Sequence, residues 1–277
     1  MDYIEFEAEI SPIDIGREVL IAQLSEIEFE SFVETEKGLQ AYIQEQLFDK
    51  EKLAQLSILN NQEFSISYVV KKIENQNWNK TWEENFEPIN IEDTCYIRAT
   101  FHNKIESFKY DIIIEPKMSF GTGHHQTTYL MAKRILTLNL TNKKVLDMGC
   151  GTAVLAILSK LKNANYVEAI DIDQWAYENS LENIRNNNCE SIVVKQGGAE
   201  LLSNTKFDAV YANINRNILL QDMKHYANNL VEKGSLLLSG FFKSDVDVLI
   251  QEATKNKLTL TFSESKNDWT LLHLIKE

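Results

Sequence analysis

The chain has 277 residues, 44% of them hydrophobic and 25% charged, and these ordinary globular values exclude disorder over most of its length. No apolar run reaches the length of a membrane span, and the N-terminus MDYIEFEAEI is acidic, so neither a membrane segment nor a secretory signal is expected. The formal net charge of -13 argues against a grip on naked nucleic acid, which needs a basic surplus, and favours a basic protein or peptide partner.

Three cysteines, Cys95, Cys150 and Cys189, stand far apart in no metal-type or redox-type spacing. They read as free thiols in a reducing cytoplasm. In chain order, YIEFEAEI reads as a strand, with alternating apolar Tyr3, Phe6, Ala8 and Ile10 and a slip at Ile4. Residues 13–27 carry Val19, Leu20, Leu24 and Ile27 at helical spacing. FESFVET and LQAYIQ flank Gly38 as a hairpin. Asp49 is placed to cap a short helix through Leu56, and EFSISYVVKKI closes the series as a strand. Strand, helix, strand, strand, helix, strand is the split βαβ order of a ferredoxin-like domain, expected over residues 1–73. A connector helix is expected over 74–88, where Trp78, Trp82 and Phe86 stack on one stripe and Pro88 stops the run.

From there to residue 277 the pattern changes. CYIRATF and YDIIIEP read as strands, and Thr127, Leu130, Met131, Ile135 and Leu138 mark a helix. KKVLDMG, YVEAIDID, FDAVYANI and GSLLLSGFF are four strand-like runs separated by helix-sized segments. Such alternation predicts an α/β, Rossmann-like domain with helices on both faces of a parallel sheet. LTLTFSES and WTLLHLIK end the chain as an antiparallel hairpin.

Three motifs carry chemistry. In VLDMGCGTA a strand runs into Gly149-Cys150-Gly151 and a helix begins near Thr152. Glycines let backbone approach a ligand, and the helix start offers free N–H groups. Asp171 ends the next strand, where an acid can bind ribose hydroxyls. A dinucleotide site would want glycine or alanine where Val154 stands, and Asp147 before the turn would repel a pyrophosphate. That carboxylate suits a ligand bearing an ammonium and a sulfonium, so S-adenosyl-L-methionine is favoured over a nicotinamide dinucleotide. Cys150 has no paired base and reads as a packing residue. Next, FDAVYANINRN ends a strand at Asn213, at the mouth of the expected cleft, where its oxygen can accept an N–H from an amine and orient the lone pair. Last, SFGTGHHQTT places Gly121 and Gly123 before a helix as a candidate lid headed by Phe120. His124 and His125 lack a third ligand, so no metal is expected.

Together these segments resemble the bacterial ribosomal protein L-eleven methyltransferases over nearly the whole chain. The resemblance rests on NWNKTWEENFEP, FGTGHHQTT, VLDMGCGTAVLAI, AIDID followed by ENSLENIRNNN, ANI, and LLLSGFF. It implies a class I methyltransferase domain that methylates lysine side chains and the N-terminal amine of one large-subunit ribosomal protein. It also implies a first domain that presents that protein. The family's donor positions fall on Thr128, Gly149, Asp171 and Asn213, to which the residues themselves add Asp147, Gly151 and Phe120. Asn213 is the expected catalytic residue. The chain departs from the family at Thr152-Ala153, at Lys162-Asn163 and at Gln126. A monomer is expected. A nucleic-acid amino methyltransferase, an oxidoreductase and a binding module without catalysis remain the alternatives.

Overall fold

A computed structural model describes residues 2–73, 86–117, 119–202 and 205–277. The proposed connector helix falls almost wholly outside the described residues, and Phe86 to Pro88 are not helical. The chain divides into two compact units, residues 1–86 and 87–277.

In the first unit β1 (Tyr3–Ser11), α1 (Ile13–Glu26), β2 (Ser31–Glu34), β3 (Gly38–Gln44), α2 (Lys50–Ala54) and β4 (Ser65–Ile73) follow one another. The sheet order is β2-β3-β1-β4, with every pair antiparallel. Alternation on β1 buries Ile4, Phe6, Ala8 and Ile10. The irregular residue is therefore Tyr3, not Ile4: Tyr3 points away from the core and hydrogen bonds to Glu30 through its hydroxyl. Leu20 and Leu24 of α1 complete the core with Leu39 and Ile43. Asp49 caps α2 as expected, its Oδ1 accepting from the N–H groups of Glu51 and Lys52.

The second unit starts with a small sheet of β5 (Ile89–Ile91), β6 (Cys95–Arg98) and β7 (Tyr110–Ile113). Next come α3 (Gln126–Thr137), β8 (Lys144–Met148), α4 (Val154–Leu161), β9 (Tyr166–Asp171), α5 (Gln174–Asn186), β10 (Val193–Gln196) and β11 (Phe207–Asn213). α6 (Arg216–Asn229), β12 (Leu230–Phe242), α7 (Val246–Lys255), β13 (Leu258–Lys266) and β14 (Trp269–Lys276) finish the chain. The seven-stranded sheet has the order β10-β9-β8-β11-β12-β14-β13. Its first five strands are parallel, and β14 is antiparallel to both neighbours. Residues of α3, α4 and α5 pack on one face, and those of α6 and α7 on the other. No described helix is long and apolar enough to cross a membrane.

The chain order reverses beside β8: β9 lies on one side and β11 on the other. Connections leave in opposite directions there, so a crevice opens at the carboxyl ends of these two strands. The helix α5 contributes a second device. Asn179, Asn183 and Asn187 sit at i, i+4 and i+8, on one stripe. Asn187 accepts from Ile113 N–H at 2.8 Å and donates to Ile113 O at 2.6 Å. Asn183 accepts from Glu115 N–H at 2.8 Å and donates to Thr152 O at 3.0 Å. Asparagine side chains thus replace a strand neighbour for Ile113 at the end of β7 and Glu115 just beyond it, whose backbone groups would otherwise be unpaired. Asn183→Ala should destabilise the protein by roughly 2–4 kcal/mol, since Glu115 N–H and Thr152 O both lose a buried partner. Urea denaturation measures this, and an unchanged midpoint contradicts it.

Candidate active site

The turn after β8 is built on positive φ: 66° at Gly149, 55° at Gly151 and 63° at Ala153. Two other chain segments crowd it. A Cβ on Gly149 would lie 2.2 Å from Ile214 Cγ2, and one on Gly151 would lie 2.1 Å from Phe120 O. Glycine is required at both places for close approach as well as for φ. Phe120 O accepts from Thr152 N–H at 2.9 Å, and Gly121 O accepts from the Thr152 hydroxyl at 2.7 Å. The expected lid is thus fastened to the glycine turn at its head. His125 caps α3 by accepting from Thr127 N–H, while His124 bonds to Glu87 O and to Thr122. Both histidines serve the loop.

Over the turn lies a cavity of about 820 Å³. Its wall includes Ser119, Phe120, Gly149, Gly151, Asp171 and Asn213. Of the expected set, Gly149, Gly151, Asp171, Asn213 and Phe120 are therefore brought together. Asp171 accepts from Gly151 N–H at 2.8 Å through one carboxylate oxygen and from Asp173 N–H at 3.0 Å through the other. Each oxygen keeps a lone pair for a further donor. Ile172 and Trp175 follow it at the rim, 77% and 73% exposed.

Two expected residues are placed elsewhere. Thr128 is 1% exposed and is not part of the cavity wall. It acts on the site through Asn213, whose Nδ2 donates to Thr128 Oγ1 at 3.4 Å. That contact turns Asn213 Oδ1 the other way, buried and without a hydrogen-bond partner. Asp147 also lies away from the cavity wall. Alternation along β8 sends it to the same face as Val145, under α4, where its Oδ2 accepts from Ala156 N–H at 3.1 Å. At 1% exposure it does not reach the cavity. Burial, with a smaller contribution from the Asp171 charge, pushes its carboxyl up to about 8.

The cavity wall also carries residues that motif reading missed: Ser119, Ile172, Trp175, Glu200, Asp222 and Tyr226. Tyr226 donates to Asp222, and burial raises the Asp222 carboxyl above its ordinary range. The wall holds the carboxylates of Asp171, Asp173, Glu200 and Asp222, and no lysine or arginine among the described residues. It is a place for a cation. The unpartnered Asn213 oxygen, the glycine cradle and the anionic wall all fit S-adenosyl-L-methionine. Asp171 would hold its ribose, the turn Gly149–Gly151 its amino-acid end, and Ile172 with Trp175 the apolar side of its base.

A doubly wound sheet with antiparallel β14 and a glycine-cradled cation site defines an S-adenosyl-L-methionine-dependent methyltransferase of class I. Comparison with known proteins narrows this. Residues 11–277 match the family model described as ribosomal protein L11 methyltransferase (PrmA), and the chain belongs to that family. A ribosomal protein L11 methyltransferase of Bacteroides fragilis is 44% identical over 99% of this chain and 100% of its own. One from Chlorobaculum tepidum is 35% identical over 91% of this chain and 90% of its own. The crystal structure of a ribosomal protein L11 methylase from Lactobacillus delbrueckii subsp. bulgaricus superposes with a TM-score of 0.65 at 25% identity, covering 69% of this chain and 100% of that one.

The burial of Asp147 can be tested through the pH dependence of stability. Its folded-state value near 8 lies well above that of an unfolded aspartate. Its contribution to stability is therefore fully present below about pH 4 and is lost as pH rises toward 8, because only the unfolded chain releases the proton over that range. Asp147→Asn keeps the acceptor for Ala156 N–H and cannot ionise. The stability of the variant relative to the parent should increase from pH 5 to pH 8, by up to a few kcal/mol. A difference that stays flat across this range in denaturant titrations contradicts the burial argument.

Proposed function

We propose that this enzyme methylates amino groups of ribosomal protein L11, on lysine side chains and at the N-terminus, with Asn213 orienting the amine. The single observation that carries the role of Asn213 is that this cavity-lining residue has a buried Oδ1 without a hydrogen-bond partner. A buried acceptor with no partner is costly, and a ligand N–H removes that cost. When bound, S-adenosyl-L-methionine supplies an electrophilic methyl group on a positively charged sulfonium.

The protein's own residues do the rest. A lysine amine has a pKa of about 10.4 in water and arrives protonated. The carboxylates of Asp171, Asp173, Glu200 and Asp222 attract it in that form. Beside Met148 and Ile214 the amine sheds water, which favours its neutral form. Its proton leaves to solvent through the cavity mouth. Asn213 Oδ1 accepts one N–H and Thr128 keeps the amide from rotating, so the lone pair has a fixed direction.

We read the first unit as a ferredoxin-like substrate-recognition domain over residues 1–73. Its element sequence and its antiparallel order β2-β3-β1-β4 support the fold. Its charge supports the role: residues 1–73 hold 15 aspartates and glutamates against 6 lysines and arginines, so 15 - 6 leaves nine net negative charges. Glu5, Glu7 and Glu9 project from alternate positions of β1, away from the buried Phe6 and Ala8. A basic protein partner, not nucleic acid, suits this surface. A monomer in the cytoplasm, with buried reduced thiols at Cys95, Cys150 and Cys189, completes the reading.

Incubation with labelled methyl donor and purified L11 tests the activity. Asp171→Ala should weaken donor binding by roughly 1–3 kcal/mol in calorimetry. Asn213→Ala should leave transfer at saturating donor well below the parent rate. Unchanged turnover in Asn213→Ala overturns its role, and absence of label in L11 with the parent enzyme overturns the substrate. For the first unit, the triple change of Glu5, Glu7 and Glu9 to Gln should raise KM for L11 severalfold while the donor Kd stays put. An unchanged KM removes this face from recognition.

A further inference from the structure

Three buried side-chain polar atoms lack a hydrogen-bond partner among the described residues: Ser119 Oγ, Asn179 Oδ1 and Asn213 Oδ1. Two of the three belong to residues that line the same cavity. They flank the same turn. Ser119 precedes Phe120, whose carbonyl crowds Gly151, and Asn213 precedes Ile214, whose side chain crowds Gly149. The backbone beside Ser119 is pinned by the Thr152 N–H to Phe120 bond, and the Asn213 amide is held by Thr128.

We propose that Ser119 Oγ is a second acceptor for the substrate amine, working with Asn213 Oδ1 on the reaction described above. This rests on that functional reading. A neutral primary amine carries two N–H bonds and one lone pair. One acceptor leaves the nitrogen free to swing about the single hydrogen bond. Two acceptors take both N–H bonds and leave the lone pair one direction, which is what displacement at a methyl carbon requires. In each transfer the lone pair forms the new N–C bond and the C–S bond breaks with its electron pair kept by sulfur; after the first and second transfers the nitrogen loses a proton to solvent before it can attack again, and after the third it is a quaternary cation with no proton to lose. A neutral secondary amine has one N–H, and a neutral tertiary amine has none. Ser119 therefore matters most for the first methyl, less for the second and not for the third.

The prediction is a graded effect that a structural serine would not produce. Parent enzyme and Ser119→Ala are mixed with saturating S-adenosyl-L-methionine and unmethylated L11. Time-resolved mass spectrometry gives three successive rate constants for an amine. The first should fall on the order of tenfold, the worth of one hydrogen bond, while the third stays within about twofold of the parent. The donor Kd from calorimetry should not move. Equal slowing of all three steps, no slowing of any, or a weakened donor Kd overturns the proposal. The last result would give Ser119 to the donor's own ammonium group instead. No transfer by the parent enzyme overturns the functional reading and this proposal with it. Transfer by the parent with an unchanged ratio of rate constants in the variant overturns this proposal alone.

Discussion

The structure depends on how closely three chain segments meet at one turn. Gly149 and Gly151 have no side chains, and the space is taken by Ile214 from the end of β11 and by the Phe120 carbonyl. Any other residue at either position would force strands or loop apart. Because the turn is this bare, the residues on its two sides face one cavity. The active site is thus fixed by exclusion before any side chain contributes chemistry.

Hydrogen bonds hold the meeting in place from behind. Asn183, fully buried on α5, joins Glu115 N–H to Thr152 O. Thr152 in turn holds Phe120 and Gly121. On the other flank Thr128, buried in α3, holds the Asn213 amide. Helix side chains with few rotamers, packed in the core, thereby set the position of groups at the mouth. This is how a site on loops can be as rigid as one on strands.

Much of this was legible in sequence. The glycine turn, the acid ending β9 and the asparagine ending β11 sit at strand ends, where alternation of strand and helix already fixes their place at the cleft. Asp147 was harder to place. In a parallel sheet covered on both faces, most residues of the central strands are buried, so composition does not tell cleft from core. The order of residues said that Asp147 and Leu146 face opposite ways, but not which faces α4. Asp147, expected beside the ligand, lies instead behind the cavity wall. β10 was missed because only four residues, Val193 to Gln196, pair along one edge and none is fully buried. Ser119 could not be seen at all. An unpartnered hydroxyl is a property of what surrounds it in space, and a serine in a glycine-rich loop reads as loop. The role of the asparagines of ENSLENIRNNN was not legible either, because the segment they pair with lies 64 or more residues away.

The nine surplus negative charges of residues 1–73 act at long range, over about a Debye length, and respond only to the total charge of what approaches. Methylation of an amine does not alter that total, since mono-, di- and trimethylated nitrogens all remain cationic. On the proposed reading, in which residues 1–73 recognise the partner, their acidic surface is therefore blind to how far that partner has been processed. It speeds the encounter of a finished product as much as that of a fresh substrate, and so sets up product inhibition unless another part of the molecule distinguishes the two. In the proposed mechanism that part is the cavity, where Asn213 and Ser119 accept the N–H bonds that each methyl group removes.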